Sequence, residues 1–362
     1  MSVSHLSIDY SLGLSAWIAL GLIAFVGLLA LRRRWRLRPI RKGIIHCGLS
    51  LWVLLAALTL VEVYFATIYD QSDSFNMTNV SKKWFQLHVK PDEKWLVLQG
   101  KQGFKFRDDR EYPKSIPAGQ HHICFLGDSF TFGHGVPDVR DRFSNRVRAS
   151  LERSDPGKFV VTNLADAGKD LYWVELVLQQ LFAHRRRVNT VVYVMCLNDI
   201  ETFHPDRNKF YEELGAEGPQ SFLFSETYFF NFLYYRYRQF TRPAVRNYYS
   251  FVKDYYAGEP WRLMGRKLIQ VNELCRRNGA RLCVVVFPFL HNLGDDYPFR
   301  GVHRQVVAFC DNAKIPVLDL DPVLTPHVGD GLTVNRFDAH PNARAHELAA
   351  DAILPFLRRI VR

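Results

Sequence analysis

Two long apolar runs constrain this 362-residue chain before anything else does. Leu12 to Leu31 holds no charged residue, and Ile44 to Ile68 holds one, Glu62. Each is long enough to span a hydrocarbon core of about 30 Å. Between them stand Arg32, Arg33, Arg34, Arg36, Arg38, Arg41 and Lys42. The pair reads as a transmembrane hairpin in contact with the lipid bilayer over 12–31 and 44–68. A cleaved leader would carry its basic residues ahead of the apolar run, whereas here they follow it. No Lys or Arg precedes Leu12, and Asp70 and Asp73 follow the second run. The positive-inside rule then puts the Arg-rich turn in the cytoplasm, and both termini with everything after about residue 70 on the other side.

The same cluster explains the charge. The net value is +11, and removing seven clustered positives leaves +4. Nucleic-acid binding is therefore not expected. Glu62 has two readings, a functional intramembrane carboxylate or a group near the outer end of its helix that reaches headgroup water. Six cysteines, Cys47, Cys124, Cys196, Cys275, Cys283 and Cys310, show no paired spacing that would suggest zinc. A Cys275–Cys310 bridge is open in an oxidising compartment.

After a polar stretch over 70–120, read as an irregular stalk and lead-in, apolar strands alternate with amphipathic helices. Expected strands are His122–Leu126, Phe159–Asn163, Thr190–Cys196, Arg281–Phe287 and Ile315–Leu318. They are short, apolar and rich in β-branched residues, as strands covered on both faces should be. Helices are expected over Asp141–Arg153, Asp170–His184, Pro260–Arg277, Phe299–Asn312 and Pro341–Arg359. The alternation predicts a doubly wound α/β/α sandwich with a mainly parallel sheet over 121–362. One insertion, about 203–256, breaks it. Fifteen aromatics fall between Phe222 and Tyr256, mixed with Arg236, Arg238, Arg242 and Arg246. That composition suits an aromatic-cored helical subdomain, a surface at the membrane interface, or a sugar-stacking platform.

The chemistry concentrates at strand ends. Gly127-Asp128-Ser129 follows the first expected strand and presents a serine at the carboxyl edge of the sheet, where open α/β folds bind ligands. A serine nucleophile needs a base and an orienting acid. Asp338-Ala339-His340 stands just before the last helix and offers both. An oxyanion needs preorganised donors. The N–H groups of Ser129 and Gly168 and the side-chain amide of Asn198 are the candidates. Asp128 and Asp199 read as groups that fix rim loops. His134, His204, His291 and His346 read as surface histidines or as groups behind the reacting ones.

These blocks resemble those of the SGNH, or GDSL-type, hydrolases and acyltransferases: Gly127-Asp128-Ser129, Gly168, Asn198-Asp199, and Asp338 to His340 with Pro341-Asn342. The third block carries Cys196 where the family has glycine, and a single residue separates Asp338 from His340. The resemblance implies a flavodoxin-like SGNH fold and an acyl-Ser129 intermediate, with Ser129, His340 and Asp338 catalytic and Ser129, Gly168 and Asn198 forming the oxyanion hole. It implies no metal or diffusible cofactor. It further implies an esterase or O-acyltransferase in the bacterial inner membrane with a periplasmic domain. The acceptor implied is a cell-surface polysaccharide, and the partner a membrane-bound acyl-donor protein. A non-catalytic scaffold binding glycan or a membrane partner, and a lipid-directed esterase, are the alternatives.

Overall fold

The computed structural model describes residues 7–34, 39–98, 101–215 and 217–361. Arg36 and Arg38 of the basic cluster, and the first six residues, lie outside the described residues. The two apolar runs form helices α1 (Ile8–Arg34) and α2 (Pro39–Thr67). Both are long and apolar enough to cross a membrane, with mean hydropathies of 2.4 and 2.2. They pair antiparallel. The Trp52 indole donates to the Gly21 carbonyl (2.8 Å) and Trp17 to Thr59 (3.0 Å), while Phe25 stacks on Trp52. No residue of α1 is buried, so its leucines and isoleucines face outward, as lipid rather than water would favour.

The lead-in departs from the irregular stalk expected of it. It folds as helix α3 (Asn79–His88) and an antiparallel ribbon of β1 (Glu93–Leu98) and β2 (Lys101–Arg107). Thr78 caps α3 by accepting from the Ser81 N–H, the ordinary N-cap arrangement. Arg107 is fully buried and donates to the carbonyls of His88, Gly133, Val136 and Pro137, which ties the ribbon to the loop behind the first core strand. Several polar residues of this segment, Ser72, Asp73, Thr78, Lys83 and Arg107 among them, are therefore buried hydrogen-bonding partners rather than parts of a solvated tether.

The main sheet contains β3 (His121–Gly127), β4 (Phe159–Asn163), β5 (Thr190–Cys196), β6 (Arg281–Phe287) and β7 (Val317–Asp319). All pairs are parallel, in the order β4-β3-β5-β6-β7. Counted within the sheet this is 2-1-3-4-5, the flavodoxin-like doubly wound order. The single turn α4 (Ser129–Phe132) and helix α5 (Phe143–Ser154) follow β3, and α6 (Leu171–Ala183) follows β4. The chain reverses direction across the sheet between these two crossovers. Right-handed connections therefore put α5 and α6 on opposite faces.

The insertion after β5 is a helical subdomain of α7 (Arg207–Leu214), α8 (Phe222–Ser225), α9 (Phe229–Thr241), α10 (Pro243–Arg246) and α11 (Tyr248–Tyr255). Then come α12 (Glu259–Arg277), α13 (Arg300–Asn312) and α14 (Asp321–Leu324). A small ribbon, β8 (Thr333–Asn335) and β9 (Asp338–Pro341), leads into α15 (Ala343–Ile360). Helix α15 packs beside α5, and α12 beside α6. Strands β3, β5 and β6 are buried nearly throughout, which accounts for their continuous apolar sequences.

Cys275 and Cys310 are both free and buried, so the bridge left open by the sequence is not formed. Burial pushes both thiols up to about 12. Glu62 does not reach headgroup water. Its carboxylate is buried and accepts the Tyr228 and Phe229 N–H groups (2.8 Å each) and the Tyr10 hydroxyl (2.5 Å). It caps the start of α9, where unpaired N–H groups and the helix dipole favour an anion.

Candidate active site

The carboxyl ends of β3, β4 and β5 meet where the strand order reverses, the usual ligand site of such sheets. Ser129 leaves β3 at Gly127. A Cβ at Gly127 would lie 2.4 Å from Thr131 Oγ1 and 2.5 Å from the Val194 carbonyl, so only glycine permits this turn against β5. Asp128 caps the turn by accepting the Phe130 N–H at 2.9 Å. Its Oδ2 lies 3.3 Å from Ser129 Oγ.

His340 and Asp338, on β9, close over the serine. His340 Nε2 lies 2.8 Å from Ser129 Oγ, and His340 Nδ1 lies 2.5 Å from Asp338 Oδ1. Asp338 Oδ1 also accepts the His340 backbone N–H at 3.1 Å. With Nδ1–H held by the carboxylate, Nε2 is the free acceptor for the serine proton. Burial alone would raise the Asp338 carboxyl. The facing His340 and His134, with hydrogen bonds from His340 and Ser72, outweigh it and hold the carboxyl well below the usual range.

Two backbone donors and one amide stand at the same rim. The N–H groups of Ser129 and Gly168 have no acceptor among the described residues. Gly168 holds φ +71° with nothing within 4 Å of a Cβ position, so its conformation rather than crowding selects glycine. Asn198 follows β5, and its Oδ1 is buried without a partner. Ser129, Gly168, Asn198 and His340 all line one cavity of about 400 Å³, whose walls include Phe75, Phe85, Tyr211, Tyr248, Tyr249 and Phe289. The supporting pair lies beneath. Asp199 accepts from the Tyr193 hydroxyl at 2.6 Å. Burial, reinforced by the facing Asp128, holds the Asp199 carboxyl well above its ordinary value.

Apart from His134, which the sequence reading set among the surface histidines or the groups behind the reacting ones, sequence reasoning missed the residues behind the triad. Ser72, in the lead-in, donates its hydroxyl to Asp338 Oδ2. Ser74 accepts the Ala339 N–H at 2.9 Å and sends its own N–H to the Phe337 carbonyl. His134 stacks on His340, ring centroids 4.1 Å apart, with Nε2 2.8 Å from the Asp73 carbonyl and 3.6 Å from Asp338 Oδ2. Burial and the facing His340 push His134 down to about 4, so it is neutral near pH 7. Arg236, from α9, packs against the touching rings of Phe232 and Phe337, within 4 Å of the Asp73 carboxylate. None of these falls in a recognisable motif.

His134, Asp338 and His340 also place ligand-type atoms within 4.8 Å of one another. His134 Nε2 and His340 Nδ1 are already committed to hydrogen bonds, so the cluster suits proton handling better than metal binding. His346 is buried behind α5, where its Nδ1 lies 3.2 Å from the Phe143 N–H. His204 and His291 stack on Tyr255 and Tyr249.

No family model matches the chain, and no curated protein matches it. Several solved structures are similar. A lipolytic protein of the G-D-S-L family from Veillonella parvula is 18% identical over 66% of this chain and 99% of its own, with a TM-score of 0.40. TesA is 14% identical over 66% and 99%, with a TM-score of 0.43. An acetylxylan esterase from Geobacillus stearothermophilus is 14% identical over 67% and 96%, with a TM-score of 0.40.

Proposed function

We propose that this chain is a membrane-anchored serine esterase or O-acyltransferase. The observation that carries the reading is the continuous Ser129–His340–Asp338 hydrogen-bonded chain opening on a cavity with unpaired oxyanion donors. In the first step the Ser129 hydroxyl proton moves to His340 Nε2 as Oγ attacks an ester carbonyl. The carbonyl oxygen takes up the negative charge against the Ser129 and Gly168 N–H groups and the Asn198 amide. Collapse expels the alcohol, which receives the proton from His340, and leaves acyl-Ser129. Water or a second hydroxyl, deprotonated by His340, then attacks the acyl group, and Ser129 recovers its proton.

The aromatic walls offer ring faces to a sugar, which favours acyl groups carried on a cell-surface polysaccharide. The Arg-rich turn between two apolar helices supports an inner-membrane anchor with the site outside the cytoplasm, where a membrane-bound acyl-donor protein would meet it. The test is labelling of the full chain by a fluorophosphonate, together with aryl acetate turnover with and without an oligosaccharide acceptor. Labelling of wild type but not of Ser129→Ala, with turnover lost in the variant, is expected. Equal labelling of both would remove Ser129 as nucleophile. No labelling of folded wild type would favour the scaffold reading. Release of free acetate alone would exclude transfer to that acceptor.

A further inference from the structure

The open end of the helix hairpin is not merely next to the catalytic domain. It is interlocked with the aromatic insertion. Glu62 lies five residues before the end of α2, about 7–8 Å along the axis at 1.5 Å per residue. At that level it holds the first N–H groups of α9. Tyr10, at the start of α1, donates to the same carboxylate, and its ring meets that of Tyr228 edge-on at 5.3 Å. Lys83, from α3, caps this same C-terminal end of α2 by donating to the carbonyls of Phe65, Ala66 and Tyr69. Asn79 fixes the α8–α9 turn through the Ser225 and Thr227 carbonyls. The turn is thus held at a set height on the hairpin.

The single helical turn α8 that leads into it carries Phe222, 78% exposed, and Leu223, also exposed. On α2 itself, Leu60 and Tyr64 are exposed, on the face turned away from Glu62. The hairpin therefore presents apolar side chains at the height at which Glu62 holds the turn.

We propose that the α8–α9 turn, through Phe222 and Leu223, is a second membrane contact that enters the headgroup–acyl boundary of the bilayer holding α1 and α2. An apolar face settles about 5–10 Å into that boundary, the depth at which Glu62 holds the turn. The contact rests on the membrane-spanning reading of the hairpin. Its consequence is a catalytic mouth kept at one orientation to the lipid surface, because α9 also places Phe232 and Arg236 against Phe337, next to Asp338.

The test uses the full chain in phospholipid vesicles, with the exposed Cys47 replaced by Ser and a nitroxide attached at one introduced cysteine. Phe222→Cys reports the turn, Leu54→Cys the span, and Arg276→Cys the far side of the domain. Leu223→Cys repeats the turn measurement should Phe222→Cys fail to fold. Collisions of the nitroxide with dissolved oxygen should exceed those with a water-soluble nickel chelate several-fold at 222 and 54, and the reverse should hold at 276. Nickel-dominated relaxation at 222 with oxygen-dominated relaxation at 54 overturns the second contact and leaves the spans standing. Nickel-dominated relaxation at 54 overturns the spanning reading, and the contact with it.

Discussion

Replacing Ser72 by Ala removes one hydroxyl far from the serine in sequence and behind it in space. In the structure, Asp338 Oδ1 is occupied by the Nδ1 and N–H groups of His340, and Oδ2 takes the Ser72 hydroxyl. Asp338 is wholly buried, so no water replaces the lost donor. A hydrogen bond to a charged group contributes about 1.5–3 kcal/mol. If that is lost from the orientation of the acid, kcat should fall roughly 10- to 100-fold, at about 1.4 kcal/mol per tenfold. Ser72 does not line the cavity, so KM should stay close to wild type. Ser72→Thr keeps the hydroxyl and should restore kcat. The assay is aryl acetate hydrolysis at neutral pH. Wild-type kcat in Ser72→Ala would refute the reasoning.

Two other perturbations follow from the same rim. Gly127→Ala drives a Cβ into Thr131 and the Val194 carbonyl. Overpacking of this kind costs about 1–3 kcal/mol, and fluorophosphonate labelling of Ser129 should be lost even where the chain still folds. Asp128 is raised to about 6, chiefly by burial, against 3.8 unfolded. Its protonated form therefore contributes stability that is complete below pH 4 and is lost as pH rises through 6. Asp128→Asn keeps an acceptor for the Phe130 N–H and carries no charge. It should be more stable than wild type in urea at pH 8, with the advantage fading towards pH 4. A difference that does not change with pH would contradict this.

Much of the scaffold was readable because each core strand is covered on both faces. Burial demands continuous apolar runs there, and β4, β5 and β6 occupy the expected residues. The grouping of Ser129, Gly168, Asn198 and His340 was legible because each stands beside a strand end or helix start. The lead-in was not. Ser72, Asp73 and Ser74 look like a solvated polar run, since the groups they bond lie more than 60 residues away in sequence. Glu62 misled for a similar reason. An acidic residue near a span's end ordinarily turns to water, and only α9, more than 160 residues later, supplies the N–H groups that keep it inside. Cysteine spacing likewise carries no distance, so Cys275 and Cys310 could not be judged unpaired from their positions.

The reacting groups are spread along the chain to an unusual degree. His340 is 211 residues from Ser129, and Asp338 is 266 from Ser72. Synthesis proceeds from the N-terminus, so the hairpin, Ser72 and Ser129 are in place long before the base exists. A nascent or truncated chain carries a nucleophile that nothing deprotonates. Hydrolytic activity therefore switches on only when the last ribbon docks against the first segment made. Contacts of such long separation also form late and slowly. Onset of fluorophosphonate reactivity would serve as a clock for completion of the whole topology.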